Sequence, residues 1–76
     1  MITIVNENNE IIPFEDGKSF EVILDDIGYG LYLEDDLIED YGSEELAVKV
    51  MKNVVENIEK GTEYIYMSEI HESLEV

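Results

Sequence analysis

The sequence predicts a single α+β domain: a small antiparallel sheet of four to six strands with one helix packed on one face. Three observations predict it. Short apolar runs separated by turn residues fill positions 2–41. One apolar stripe at helical spacing runs from Leu46 to Ile58. A short aromatic run, Tyr64-Ile65-Tyr66-Met67, follows that stripe.

The elements follow in order. Ile2-Thr3-Ile4-Val5 reads as a β-branched strand, and Asn6-Glu7-Asn8-Asn9 as a turn. Ile11-Ile12-Pro13-Phe14 reads as a second strand; Pro13 lacks the N–H a ladder needs, so this strand belongs at an edge. Asp16-Gly17 supplies a turn. Phe20 to Asp25 alternates, placing Phe20, Val22 and Leu24 on one face. After the turn at Asp26-Ile27-Gly28, Tyr29, Leu31 and Leu33 share a face of the next strand, and Leu37 to Tyr41 ends the meander.

Ser43 is placed to cap the helix, with Glu44 and Glu45 at the positive end of its dipole. Leu46, Ala47, Val50, Met51, Val54 and Ile58 form its apolar stripe, and Gly61 is a natural stop. Glu45–Lys49 and Glu56–Lys60 are supportive pairs at four-residue spacing. Residues 1–67 are expected to form the domain, with Tyr64 to Met67 returning to the sheet. Residues 68–76 are expected to form a frayed acidic tail or a short helix, with His71 solvated. The expected core unites Phe20, Val22, Leu24, Leu31, Leu33, Val50, Met51 and Val54.

Composition narrows the function. With 76 residues and no cysteine, the chain has no disulfide and no thiolate. No basic n-region with an apolar run opens the sequence, and no segment has the length of a membrane span, so a cytoplasmic protein is expected. Twenty acids face four lysines and no arginine, a formal net charge of −16. That sign excludes direct binding to nucleic acid or to an anionic membrane. The 45% of apolar residues, patterned into segments, argue against a disordered chain.

Over Tyr41-Gly42-Ser43-Glu44-Glu45-Leu46-Ala47 and Glu63-Tyr64-Ile65-Tyr66-Met67, the sequence resembles short accessory proteins of phages and prophages from low-GC Gram-positive bacteria. The resemblance implies a genomic setting, not an activity. Asp16-Gly17-Lys18 and Tyr41-Gly42-Ser43 are similar to segments of the acidic phage inhibitors of uracil-DNA glycosylase, which resemble DNA. No residue roles carry over from so short a match.

Catalytic chemistry finds little to work with. There is no nucleophile–base pair, since cysteine is absent and Ser19, Ser43, Ser68 and Ser73 read as turn, cap or tail residues. Gly28-Tyr29-Gly30 is followed by no Gly-Lys-Ser/Thr, so no phosphate loop is present. A calcium-loop register starting at Glu34 or Asp36 puts Ile38 where an oxygen ligand belongs. No enzyme activity, cofactor or metal site is expected.

The distribution of charge says more than its total. Residues 1–42 hold twelve acids and Lys18 alone, whereas the helix segment 43–60 holds four acids and three lysines. A folded chain of this mass exposes about 4,700 Å², roughly 300 Å² per net charge. B-DNA carries one charge per roughly 110 Å² on a cylinder of about 10 Å radius, so mimicry requires clustering on one face. The strand parity places Glu21, Ile23 and Asp25, then Tyr32 and Glu34, opposite the core. The candidate partner-binding set is therefore Glu21, Asp25, Asp26, Tyr32, Glu34, Asp35, Asp36, Glu39 and Asp40. The expected partner is a protein with a basic surface, and the expected function is a phage-type, DNA-mimic-like inhibitor of a nucleic-acid-binding host protein. The rival expectation is a small phage or host interaction or assembly module, monomeric or a homodimer, whose acidity only serves solubility.

Overall fold

The computed structural model describes residues 2–74. The chain is α+β, as its patterning requires. Among the described residues, six strands and two helices run in the order β1 (Ile2–Val5), β2 (Ile11–Phe14), β3 (Phe20–Leu24), β4 (Tyr29–Leu33), β5 (Asp36–Tyr41), α1 (Glu44–Glu59), β6 (Tyr64–Tyr66) and α2 (Met67–Leu74). The strands divide into two sheets of three, ordered β2-β1-β6 and β3-β4-β5. The expected single sheet is thus split after β2. Four of the five residues between β2 and β3 are exposed and carry no ladder. The sheets meet where the Phe14 and Phe20 rings stack, with centroids 5.7 Å apart.

The second sheet is a meander. β3 pairs antiparallel with β4 from Phe20–Leu33 to Leu24–Tyr29, and β4 pairs antiparallel with β5. A bulge opens between Leu31 and Tyr32: Leu31 faces Glu39 while Tyr32 faces Leu37, leaving Ile38 as the extra residue. Ile38 and Tyr41 are both buried. A regular strand would send two residues three apart to opposite faces, and the bulge reconciles them.

The first sheet closes the chain on itself. β2 lies at its edge, where Pro13 faces Thr3 of β1. β6 returns to pair with β1, in parallel, setting Ile65 beside Ile4. Asn6 organises the β1–β2 turn: its Oδ1 accepts from the Asn8 and Glu10 amides, each at 2.9 Å.

α1 connects the two sheets and packs across the second. Ser43 Oγ accepts the Leu46 amide at 3.2 Å, so the expected cap forms. At the other end Gly61 has φ +81°; its amide donates to Ile58 and that of Thr62 to Asn57, a Schellman stop. Ala47, Val50 and Val54 are fully buried against Leu31 and Leu33, with Ile4, Ile38, Tyr41, Ile65, Met67 and Ile70 completing one core. Phe20, Val22 and Met51 pack at its margin.

Two further expectations change. Leu24 is 67% exposed, because it ends an edge strand with no neighbour beyond it. Met67 does not end a strand; it opens α2, which packs on α1 through buried Met67 and Ile70. The segment after residue 67 is therefore helical through Leu74; positions 75 and 76 of the anticipated tail lie outside the described residues.

Leu31 fills the centre of this core and Leu24 stands outside it. Leu31→Ala should cost about 2–5 kcal/mol in urea unfolding, and Leu24→Ala within about 0.5 kcal/mol. Equal costs for the two would show that the assigned parity of the meander is wrong.

Candidate functional site

The outer face of the β3–β4–β5 sheet, turned away from α1, gathers four of the nine candidate residues: Glu21, Asp25, Tyr32 and Asp40. The register sets Glu21 of β3 beside Tyr32 of β4 and Leu37 of β5, and in the next row Ile23 beside Gly30 and Asp40. Asp25 follows β3 and folds back over the same face. Gly30 makes this possible. A Cβ at position 30 would come within 2.7 Å of Tyr32 Cε1, 2.9 Å of Asp25 Oδ2 and 3.0 Å of Leu37 Cδ1. All three side chains therefore converge over bare backbone, and Gly30 is buried beneath them.

Asp25 is fixed by its own turn. Its Oδ1 accepts the amides of Ile27 and Gly28 at 2.8 and 2.9 Å, which closes the β3–β4 connection. The Gly28 amide first, then that of Ile27, hold the Asp25 carboxyl below the ordinary aspartate value, with smaller contributions from Asp40 and Tyr32. Asp40 behaves in the opposite way. Loss of water around it raises its pKa, and the neighbouring charges of Asp25 and Glu39 raise it further. Asp40 Oδ1 is buried without a hydrogen-bond partner. Two ionised carboxylates cannot hydrogen-bond to each other, so the Asp25–Asp40 bond forms when Asp40 holds the proton. The Tyr32 phenol is also raised, by desolvation first and then by the charges of Asp25 and Asp40, so it stays a neutral donor at neutral pH.

The remaining candidates divide. Asp26 is exposed at the β3–β4 turn. Glu34, Asp35 and Asp36 are exposed at the opposite end of the meander, where Glu34 takes φ 54° and Ser19 Oγ donates to its carboxylate at 3.4 Å. Glu39 does not join the outer face. Its Oε2 accepts the Glu7 amide at 3.1 Å, so it braces the β1–β2 turn against β5.

His71 is the residue that sequence reasoning misplaced. It is half-buried on α2, with Nδ1 at 3.1 Å from both carboxylate oxygens of Glu7. Its ring meets Tyr41 edge-on at 5.3 Å. The Tyr41 hydroxyl is buried without a partner; desolvation, then the charges of Glu7 and Glu39, push its pKa up. No short-range pattern links positions 7, 41 and 71, because the contact needs α2 to fold back beside the β1–β2 turn. It ties three elements together, which accounts for it structurally.

Apolar side chains interrupt the acids. Ile23, Leu24, Ile27 and Leu37 are 38%, 67%, 81% and 42% exposed. Among the described residues, the Lys–carboxylate ion pair is Lys49–Glu45 on α1, at 3.1 Å. Among the described residues, no lysine forms an ion pair with an acid of the meander. Among the described residues, no cluster of His, Cys, Asp and Glu is arranged to hold a metal ion, and no helix is long and apolar enough to cross a membrane. Comparison with family models, with curated proteins and with solved structures finds no match for this chain.

The Asp25–Asp40 pair sets a pH dependence. Asp40 binds its proton more tightly folded than unfolded, so stability rises as pH falls from neutrality through its raised pKa. Asp25 acts oppositely, but only below the ordinary aspartate value of 3.8, as pH falls through its lowered pKa. Above that value Asp25 is ionised both folded and unfolded, so it does not oppose the Asp40 effect there. Asp40→Asn should raise the melting temperature at neutral pH and flatten its rise on acidification. An unchanged pH slope in this variant would show that Asp40 does not hold the shared proton.

Proposed function

We propose that this chain is an acidic, DNA-mimic-like binding protein of the phage accessory type. It acts in the bacterial cytoplasm by occupying the basic surface through which a host protein binds nucleic acid. The partner class includes defence nucleases, CRISPR effectors and repair glycosylases. The chain binds; it does not catalyse. One observation carries the reading: Asp25 and Asp40 meet on one sheet face beside Gly30, with Tyr32 and the exposed Ile23 and Leu37 around them. A charge coat serving solubility alone needs no such convergence. The described fold exposes 4957 Å² for sixteen net charges, roughly 310 Å² each, about threefold sparser than B-DNA. A phosphate-like field therefore requires local concentration, which this reading assigns to the outer face with the turns at Asp26 and Glu34 to Asp36.

The roles divide by range. The exposed acids act at distance and set association rate, which falls with salt. Tyr32 acts at contact, as a large amphipathic side chain with a neutral hydroxyl. A second reading, a neutral interaction or assembly module, is favoured by the exposure of Ile11, Leu24 and Ile27.

The test uses immobilised protein, a bacterial lysate and elution by double-stranded DNA. Replacing Glu21, Asp26, Glu34, Asp35 and Asp36 by Lys converts attraction to repulsion without touching a buried side chain, and should abolish capture of the DNA-eluted partner. Reversing Glu44, Glu56 and Glu59 on α1 should leave capture nearly unchanged. Tyr32→Ala should raise the dissociation rate about tenfold with little effect on association. A partner that resists both DNA and salt, and that the five-lysine variant captures equally, would replace this reading with the neutral module.

A further inference from the structure

We infer that the free edge of β3, with the groove it borders, receives an extended segment of the partner that alternates apolar and basic side chains. This rests on the reading of the outer face as a site for a basic partner, and adds the mode of docking.

The ladder itself shows which groups are free. Ser19 O accepts the Glu34 amide at 3.0 Å, and the Asp25 amide donates to Gly28 O at 2.7 Å. In an antiparallel pair every second residue turns its main chain to the neighbour. Ser19, Glu21, Ile23 and Asp25 thus bond to β4 and its flanks, while Phe20, Val22 and Leu24 turn their N–H and C=O groups outward. β3 is an edge strand, so the sheet offers no partner there. A strand added to this edge continues the sheet, as in other β-augmented complexes.

The two faces of the added strand meet different surroundings. At the Phe20 end of β3, toward α1, lies a groove of about 350 Å³, lined mainly by Phe14, Phe20, Met51, Val55 and Ile58. Toward solvent lie Glu21, Ile23 and Asp25, with Asp26 at the turn beyond. Side chains of a strand alternate between faces. A segment that fills the groove with one set therefore presents the other set to these acids, which selects lysine or arginine. Lys18 and Glu59 both line the groove, so its charges offset and its apolar walls set the preference on that face. A second copy fits poorly, because it would bring two strongly acidic meanders together. Charged edges also discourage self-pairing in general.

The probe is a synthetic peptide of about ten residues alternating lysine and valine, long enough to span β3. It is titrated into the isotopically labelled full chain, with all-lysine and alternating glutamate–valine peptides as comparisons. The expected result is slowed amide exchange at Phe20, Val22 and Leu24 by about tenfold, and binding about tenfold tighter than that of the all-lysine peptide. Leu24→Pro removes an outward N–H that the β3–β4 ladder does not use, and should weaken the alternating peptide about fivefold while Leu24→Ala does not. Exchange in the wild-type chain decides the matter should the proline variant misfold. Equal binding of the all-lysine peptide without protection of β3 would overturn edge docking and leave the charged-face reading standing. Failure of both lysine peptides would overturn both. Protection of the same amides by concentration alone, or by the glutamate–valine peptide, would overturn it in favour of self-association or of a neutral strand.

Discussion

The contact between β4 and α1 is the constraint on which the rest depends. Leu31 and Leu33 on one side, and Ala47, Val50 and Val54 on the other, are essentially removed from water. A domain of this size has little apolar area to spare, and its net charge opposes compaction. The central strand of the meander must therefore commit its inward face wholly to the helix. Its outward face is left to carry Tyr32 and to lie bare at Gly30. The acidic face is the other side of the same strand that holds the core.

That sharing explains the form of the candidate site. Strand alternation ties an outward acid to an inward apolar residue, so charge can gather on the outer face only while the inner face stays apolar. Gly30 lets Asp25, Tyr32 and Leu37 close over the strand, and the Asp25 turn holds the cluster in place. Asp40 bears the cost: it is partly desolvated beside another carboxylate, and its pKa is raised. A cation arriving at this face relieves a repulsion already present in the fold.

Much of this was legible in the sequence because it depends on local rules. The Ser43 cap, the Gly61 stop, the edge position forced by Pro13 and the parity of Leu31, Leu33 and Tyr32 all follow from backbone chemistry at single positions. What escaped has a different origin. The bulge that buries both Ile38 and Tyr41 breaks the period of two on which strand reading rests. The parallel return of β6 to β1 pairs Ile4 with Ile65, residues far apart in sequence, and has no local signature. Leu24 has the right parity for burial, but only its place at a sheet edge exposes it. Glu39 looked like its acidic neighbours until Glu7, 32 positions away, claimed its carboxylate. His71 lay in a segment that read as either a frayed tail or a short helix; α2 forms there, with Met67 and Ile70 buried in the core.

The central claim is that an uncompensated acidic field is held on one face by a small apolar core. The melting temperature of the protein alone, followed against NaCl, tests it most directly. Raising ionic strength from about 0.01 M to 0.15 M shortens the screening length from about 30 Å to about 8 Å. If the meander's acids repel one another as described, relief of about 1 kcal/mol should raise the melting temperature by about 4–8 °C over that range. The five-lysine variant, in which the field is broken, should show little or no rise. A wild-type melting temperature that stays flat across the same range would contradict the account, because it would mean that the charges are dispersed or locally balanced.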